Sequence, residues 1–359
     1  MRVLFLNQYF PPDPAPTGIL FREIADDLVT AGHTVDFVDA GIDYRAAQKK
    51  GGRMKRELAS LWRMLRAGKA KQRADVVVSG TSPPMLAAIA DRVARAHSAR
   101  HFHWAMDVYP EIATALGEIK PNSIIAKVTG WVSGRAYRRA AKVVALDADM
   151  AALFAGHGVQ AETIRPWVFK SVPDRITPPS PPEGEWTWIY SGNLGRAHEW
   201  ETLLAAQAQL EASGVDATLL FQGGGPSWPL AQARAKEIGL RRCHWRGYVP
   251  EEEVRTSLLA HHVLVVTQRP AVQGMLWPSK LGLVMTLPRP ILFVGPTDGA
   301  IACELRQFTH ATAIAPGDAT AVAAWITRVR SQPPEIQSTL DPVAHRNEAL
   351  AAWRNLISP

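Results

Sequence analysis

Tyr190-Ser191-Gly192-Asn193-Leu194-Gly195-Arg196 brings two glycines, an amide and a guanidinium together directly after the apolar run Trp186-Thr187-Trp188-Ile189, and a helical pattern follows from about Glu199 to Leu210. The order predicts a strand, a tight turn and a helix start. An open helix N-terminus offers unpaired N–H groups and the positive end of a dipole, so the chemistry this stretch suits is holding a phosphate. Pro278-Ser279-Lys280 carries related parts, a serine that can cap, a helix start and a full positive charge, with a capped helix and a solvent lysine as the plain alternative. Asp107 and Glu111, just past the strand pattern Arg100 to Trp104, are candidate acids or bases; an acidic first helical turn accounts for them as well. Asp147-Ala148-Asp149 could hold a divalent cation, but Asp149 is also placed to cap a helix from Met150 to Gly156 and no further acid accompanies the pair, so no metal site is expected.

The elements that must position these groups alternate regularly. Strand patterns at Arg2 to Asn7, Thr34 to Asp39, Asp75 to Ser79, Arg100 to Trp104 and Lys142 to Leu146 are separated by helical patterns, and the spacing makes βαβ units. Ligands in such sheets gather at the carboxyl ends of the strands. Gly18, where the first loop meets its helix, removes a side chain from such an end, although a glycine in a turn is often only conformational. Pro173, Pro178, Pro179, Pro181 and Pro182 then mark a stiff linker. Beyond it the pattern repeats, with Gly223-Gly224-Gly225-Pro226, Arg246-Gly247-Tyr248-Val249-Pro250 and the long loop Gln268 to Trp277 after successive strands. The expected domains are 1–165, a linker 166–185, a second domain 186–340, and a C-terminal helix 341–359 that packs back on the first.

With 359 residues, 47% of them hydrophobic and 20% charged, the chain has length for two full cores. Its apolar runs are strand-sized and short of the roughly 20 residues a membrane-spanning helix needs. Met1 to Leu6 is too short for a signal peptide's apolar core, so a cytoplasmic location is expected. Cys243 and Cys303 stand apart and read as small apolar residues. The net charge of +7 is local: between Arg45 and Arg73 lie eleven bases, among them Lys49 and Lys50, against the single acid Glu57. Met54, Leu58, Leu61, Trp62 and Leu65 fall on one helical face there, flanked by Arg56, Arg63 and Arg66. A basic helix with an apolar, Trp-bearing face around 53–66 fits the surface of an anionic membrane; the alternative is a helix that packs Leu and Trp inward. Nothing resembles a nucleic-acid module, and no nucleic-acid partner is expected.

Two βα domains with these loops describe a GT-B architecture. Tyr190 to Arg196, Gly223 to Pro226, Arg246 to Pro250 and Pro278-Ser279-Lys280-Leu281, in this order and spacing, resemble the family 4 glycosyltransferases, and Asn7-Gln8-Tyr9-Phe10-Pro11-Pro12, Pro16-Thr17-Gly18 and Asp107 to Glu111 resemble their surface-polysaccharide branch, of colanic-acid and O-antigen type. The resemblance implies an α/β fold of two Rossmann-like parallel sheets facing across a cleft, and a retaining, metal-independent transfer of a sugar from a nucleotide diphosphate sugar, UDP-linked, to a polyprenyl-diphosphate-linked glycan at the inner membrane face. No cofactor is implied, the nucleotide sugar being a co-substrate. By match to the family pattern, Arg196 and Lys280 balance the leaving diphosphate, Gly18 admits it, Arg246-Gly247-Tyr248 meets the base, and Asp107 acts as base or positions the acceptor. Glu111, Gly192, Asn193, His198, Gly224, Gln273 and Ser279 complete the substrate contacts. Many members carry two glutamates eight positions apart near the last helix; aligning on Pro278 puts Met275 and Leu283 there. Asn193 and Arg196 are then expected to carry more of the donor recognition. A nucleotide-sugar epimerase or hydrolase on the same fold, and a non-catalytic partner subunit, are the alternatives.

Overall fold

The computed structural model describes residues 1–13, 15–41, 53–170 and 184–358, with the backbone alone at 53 and 54. Arg45, Lys49, Lys50 and the linker prolines from Pro173 to Pro182 lie outside the described residues, as does the side chain of Met54. The chain divides into two compact units: Met1–Lys170 with Gly274–Trp277 and Ala344–Pro359, and Ser171–Gln273 with Pro278–Val343. The second unit is thus interrupted between Gln273 and Pro278, where Gly274–Trp277 belongs to the first. Gly274 has φ +68°, and a Cβ there would lie 2.8 Å from the Asp149 carbonyl, so only glycine lets the segment lie on that backbone. Val108 N then donates to Met275 O at 3.0 Å, and Leu276 bridges to Asp107.

In the first unit the order is β1 (Arg2–Leu6), α1 (Pro16–Thr30), β2 (Thr34–Val38), α2 (Arg53–Ala70), β3 (Val76–Ser79), α3 (Leu86–His97), β4 (Arg100–Trp104), α4 (Glu111–Ala115), α5 (Ile124–Arg139), β5 (Lys142–Ala145), α6 (Ala148–Gly156) and β6 (Ala161–Thr163). All strands pair in parallel, in the order β2-β1-β3-β4-β5-β6. Leu4, Leu6 and Val77 pack on one face with Leu61 and Met64 of α2 and Val93 of α3. The other face stacks aromatic rings: Phe21 of α1 and Trp353 lie edge-on to Trp104, at 5.3 and 5.1 Å, and Trp167 stacks on it at 5.7 Å. The single apolar face expected for α2 divides in two. Leu61 and Met64 are buried in the core, whereas Leu58 and Trp62 point outward at 61% and 59% exposure. Arg63 is not part of a loose basic rim, since its guanidinium donates to the carbonyls of Ala40 and Gly41.

The second unit runs β7 (Thr187–Asn193), α7 (Glu201–Ala212), β8 (Thr218–Gly224), α8 (Trp228–Glu237), β9 (Cys243–Arg246), α9 (Glu251–Leu259), β10 (Val263–Thr267), a short turn Pro270–Val272, α10 (Lys280–Met285), β11 (Ile291–Val294), α11 (Ala300–Leu305), β12 (Ala311–Ile314) and α12 (Ala319–Ser331); α13 (Pro342–Ile357) brings the chain back to the first unit. The sheet order is β12-β11-β10-β7-β8-β9, all parallel. Read from its far edge this is third, second, first, fourth, fifth, sixth, the doubly wound dinucleotide-binding order, whose ligand crevice lies where the direction reverses. That point is between β7 and β10. Trp188, fully buried beneath α7, donates its Nε1 hydrogen to Gln207 at 3.0 Å, so even this large ring leaves no polar atom stranded.

Candidate functional site

β7 runs on to Asn193, and the two glycine stretches are the ends of paired strands rather than free turns. Gly192 faces Gly223 and Asn193 faces Gly224 in the ladder, and Leu194 N donates to Gly224 O at 2.6 Å. Gly223 has φ +128°, and a Cβ on it would collide with Gly192 O. Gly225 has φ +125°, and its Cβ would sit 2.7 Å from Leu194 N. These glycines are needed for backbone approach between β7 and β8. Over Gly224 lies the Tyr248 ring, 2.9 Å from where a Cβ would stand, and Tyr248 OH donates to Asn193 Oδ1 at 3.4 Å. The ring is 67% exposed, a flat apolar surface beside a strand end. Arg246 and Gly247 are exposed, and no atom of the described residues comes within 4 Å of a Cβ built on Gly247.

The helix expected from about Glu199 is present, but its N-terminus is closed. α7 begins at Glu201, and the Glu199 carboxylate accepts from Thr202 N and from the Thr202 hydroxyl, both at 3.0 Å. Glu201 takes the Trp200 N–H at 3.3 Å. With two carboxylates at this N-terminus, it is no seat for a phosphate. Arg269 fixes the loop from behind: its N–H donates to Ala197 O at 2.8 Å, its Nε to His198 O at 3.1 Å, and its guanidinium pairs with Glu201 at 2.5 Å.

Positive charge here comes from side chains instead. Arg196 is exposed three residues past the end of β7. Lys280 lies by the same strand end, its Cγ 3.8 Å from the position of a Cβ on Gly192, and burial pulls its pKa down while Glu251 opposes. A half-buried ammonium gains most from an incoming anion, which supplies the counter-charge that water no longer does. Ser279 does not cap: it sits in helical geometry, is exposed, and makes no side-chain cap bond to the six-residue α10. His198 is held neutral by burial, its Nδ1 3.1 Å from Thr267 O and its ring edge-on to Tyr190 at 5.7 Å. It offers a hydrogen bond, and no charge, where a lysine is common in the resembled family. Gln273 N donates to Pro270 O at 3.1 Å and closes the turn before the chain leaves this unit.

In the first unit the sheet reverses between β1 and β3. Gly18 is explained by packing: a Cβ on it would lie 2.6 Å from Tyr9 O, so the α1 N-terminus rests on that loop's backbone. Thr81, after β3, accepts from Met106 N at 2.7 Å and Asp107 N at 3.3 Å. With the Leu276 bridge on its other side, Asp107 is fixed along its backbone, and burial pushes its carboxyl up to about 6. Such a carboxyl trades a proton near neutrality, as a base or positioning group requires. Sequence spacing had no means of finding Thr81, whose partner is a backbone amide 25 residues away. Glu111 opens α4 and pairs with His157 at 2.8 Å; burial raises its pKa, but the His157 hydrogen bond, its own backbone N–H and the His157 charge together leave it below the usual value. In the Asp-x-Asp stretch the helix cap is Asp147 and not Asp149: Asp147 Oδ1 accepts from Met150 N at 2.7 Å. Among the described residues no group of three or more His, Cys, Asp or Glu could hold a metal ion.

Residues 17–167 match the glycosyl transferase 4-like domain. The chain is 25% identical to the probable glycosyltransferase WbjE of Pseudomonas aeruginosa over 364 residues, 91% of this chain and 89% of that protein. Among solved structures, the lipopolysaccharide outer core galactosyltransferase WaaB superposes with a TM-score of 0.64 at 13% identity, over 99% of each chain. HepE of Anabaena, in complex with UDP and glucose, gives 0.66 at 14% identity, over 100% of this chain and 96% of that one. The α/β fold, two six-stranded parallel sheets with flanking helices, is that of the GT-B proteins.

Proposed function

We propose that this chain, a glycosyltransferase of GT-B type, moves a sugar with retention of anomeric configuration from a UDP-sugar to a lipid-linked oligosaccharide during bacterial surface-polysaccharide synthesis. The observation that carries the reading is the half-buried Lys280 beside the Gly192 end of β7, at the sheet reversal where a doubly wound unit takes its ligand. HepE binds UDP and WaaB acts on a lipopolysaccharide core, which supports the nucleotide and the acceptor class.

In the proposed reaction the bond between the sugar's anomeric carbon and the β-phosphate oxygen breaks. That oxygen takes the proton of the acceptor hydroxyl, whose oxygen forms the new bond on the same face. Lys280 and Arg196 offset the charge growing on the diphosphate, which is the role usually given to a metal. Tyr248 supports the base by its exposed ring, Asn193 and backbone groups at Gly192 and Gly224 hold the donor, and His198 offers a neutral hydrogen bond. The first unit handles the acceptor, with Asp107 orienting its hydroxyl. The outward Leu58 and Trp62 of α2, among the bases of that helix, hold the enzyme peripherally at the inner face of the membrane; among the described residues no helix is long and apolar enough to cross it.

Incubation of the full chain with radiolabelled UDP-sugars and membrane lipid tests the reading. Label in the lipid fraction, with activity surviving chelator, is the expected result. Free altered sugar would replace transfer by epimerase or hydrolase chemistry, and no turnover from any donor would reduce the chain to a partner subunit.

A further inference from the structure

Nine large apolar side chains stand more than half exposed among the described residues, and six of them belong to two helices of the first unit: Leu58 and Trp62 on α2, and Ile124, Ile125, Val128 and Trp131 on α5. Scattered exposed apolar residues are ordinary, but four within two turns of one helix are not. Ile124, Val128, Trp131 and Arg135 follow at spacings of four, three and four, which is one stripe. The buried residues of α5 are Ser133, Gly134, Ala136 and Tyr137, all in its C-terminal half, so the first two turns carry their isoleucines without cover from the described residues.

α3 packs against both α2 and α5, so the three helices form one layer on one face of the sheet. At interaxial distances of 8–10 Å the two outer helices lie roughly 20 Å apart. Together α2 and α5 hold ten lysines and arginines and one acid, Glu57. Arg92 and Arg95 of α3 are exposed between them, and the acid of that helix, Asp91, is engaged by Arg95 at 3.1 Å and Arg139 at 3.5 Å. Each outward tryptophan has its own arginine over the ring, Arg66 on Trp62 at 4.6 Å and Arg135 on Trp131 at 5.9 Å. An apolar stripe, indoles and an almost purely basic surround are complementary to an anionic lipid surface, where indole sits at the headgroup level and bases meet phosphate.

We propose that α5 is a second membrane-docking helix, its Ile124, Val128 and Trp131 entering the headgroup boundary of an anionic bilayer alongside Leu58 and Trp62 of α2. The inference deepens the peripheral association proposed above, and α5 carries it by its own residues. Two contact lines rather than one fix the orientation of the first unit on the bilayer as well as its distance, which a lone helix cannot do.

Flotation of the full chain with vesicles of phosphatidylethanolamine and phosphatidylglycerol provides the test. Ile124→Glu with Trp131→Glu is expected to lower the bound fraction at least tenfold, with the melting temperature unchanged because both side chains are exposed. If that pair destabilises the fold, Lys127→Glu with Arg135→Glu gives the same readout from exposed charges. Wild-type flotation of the α5 variants while Leu58→Glu with Trp62→Glu is released would overturn the inference and leave the α2 reading standing. Release by the α5 variants alone would support docking through α5 and overturn its pairing with α2. Equal binding to phosphatidylcholine vesicles would overturn the anionic requirement. A change from dimer to monomer in the α5 variants with flotation unaltered would assign the face to a second copy of the chain and sink the proposal.

Discussion

At the carboxyl ends of the first sheet stand Asp107, Glu111, Asn7 and Thr81; at those of the second stand Arg196, Arg246 and Lys280 among glycines. The two sheets have the same number of strands, all parallel, and both reverse direction once. Their ends are nevertheless of opposite character. One fixes a buried carboxyl near neutral pKa, the other opens backbone and supplies cations. Parallel-sheet architecture dictates where a ligand goes, and the side chains past the strand ends dictate its charge. A hydroxyl-bearing acceptor suits the first set and a diphosphate the second.

The sharpest way to break this contrast is to remove the cation. Lys280→Ala should lower kcat by about 100- to 1,000-fold, the cost of losing one preorganised charge contact, with the fold intact. Arg196→Ala should act in the same direction. If both leave turnover within a few-fold of wild type, the second sheet's end is not where charge develops. For the carboxyl side, Asp107 is ionised above about pH 6, so activity should fall on the acid side of that value, and Asp107→Asn should lose that limb of the pH profile.

The glycines give the next effect in size, on stability. Gly223→Ala would force a side chain into φ +128° and onto Gly192 O, and should cost on the order of 2–3 kcal/mol in denaturant unfolding. In the first unit Gly18→Ala has no φ penalty, only the approach to Tyr9 O, and should cost less. A reversed order would mean that the β7–β8 glycines serve a ligand and not the ladder.

Acid reaches the first unit through a different door. His101 and His103 share the Ser79 hydroxyl at 2.9 Å, and burial lowers their pKa values to about 4 and about 3, with Asp91 opposing at His101 and the His101 charge adding at His103. These rings fold neutral and unfold into a form that protonates near 6.5, so their stabilisation is complete above that pH and is lost as pH falls towards 4. Asp107 works in the opposite sense: its folded pKa is raised, so its contribution is lost as pH rises from about 4 to 6. His103→Asn should therefore flatten the slope of unfolding free energy between pH 4 and 6 by about 1.4 kcal/mol per pH unit, and Asp107→Asn should steepen it by a similar amount. Urea titrations at several pH values measure both slopes.

The layout of strands and helices was legible because apolar periodicity and glycine punctuation repeat through both halves: β4 occupies Arg100–Trp104, as its pattern predicts. What escaped is set by contacts distant in sequence. No local rule places Thr81 under Asp107, returns Gly274–Trp277 to the first unit, or tells that Leu61 turns inward while the adjacent Trp62 turns outward. The α7 start differs from the expected phosphate seat for a local reason, since the Glu199 carboxylate accepts from the Thr202 amide and fills the N-terminus that follows the Gly-containing turn. In the candidate sites, residue types were readable and their partners were not.

The smallest effects separate the two units most cleanly. Asp147 and Ser279 both precede a helix, and a sequence rule treats both as potential caps. Asp147 binds Met150 N at 2.7 Å, so Asp147→Ala should cost about 1 kcal/mol; burial also raises its pKa to about 6, so the loss is measured at pH 7.5, where the carboxylate is ionised. Ser279 makes no cap bond, so Ser279→Ala should change unfolding free energy by no more than a few tenths of a kcal/mol. If, as proposed, its exposed hydroxyl meets the donor, the same substitution should raise the KM for the nucleotide sugar several-fold while kcat holds, the signature of lost ground-state binding. Equal losses of stability in the two variants would show that the α10 start is capped after all, and an unchanged KM would remove Ser279 from the donor's neighbours.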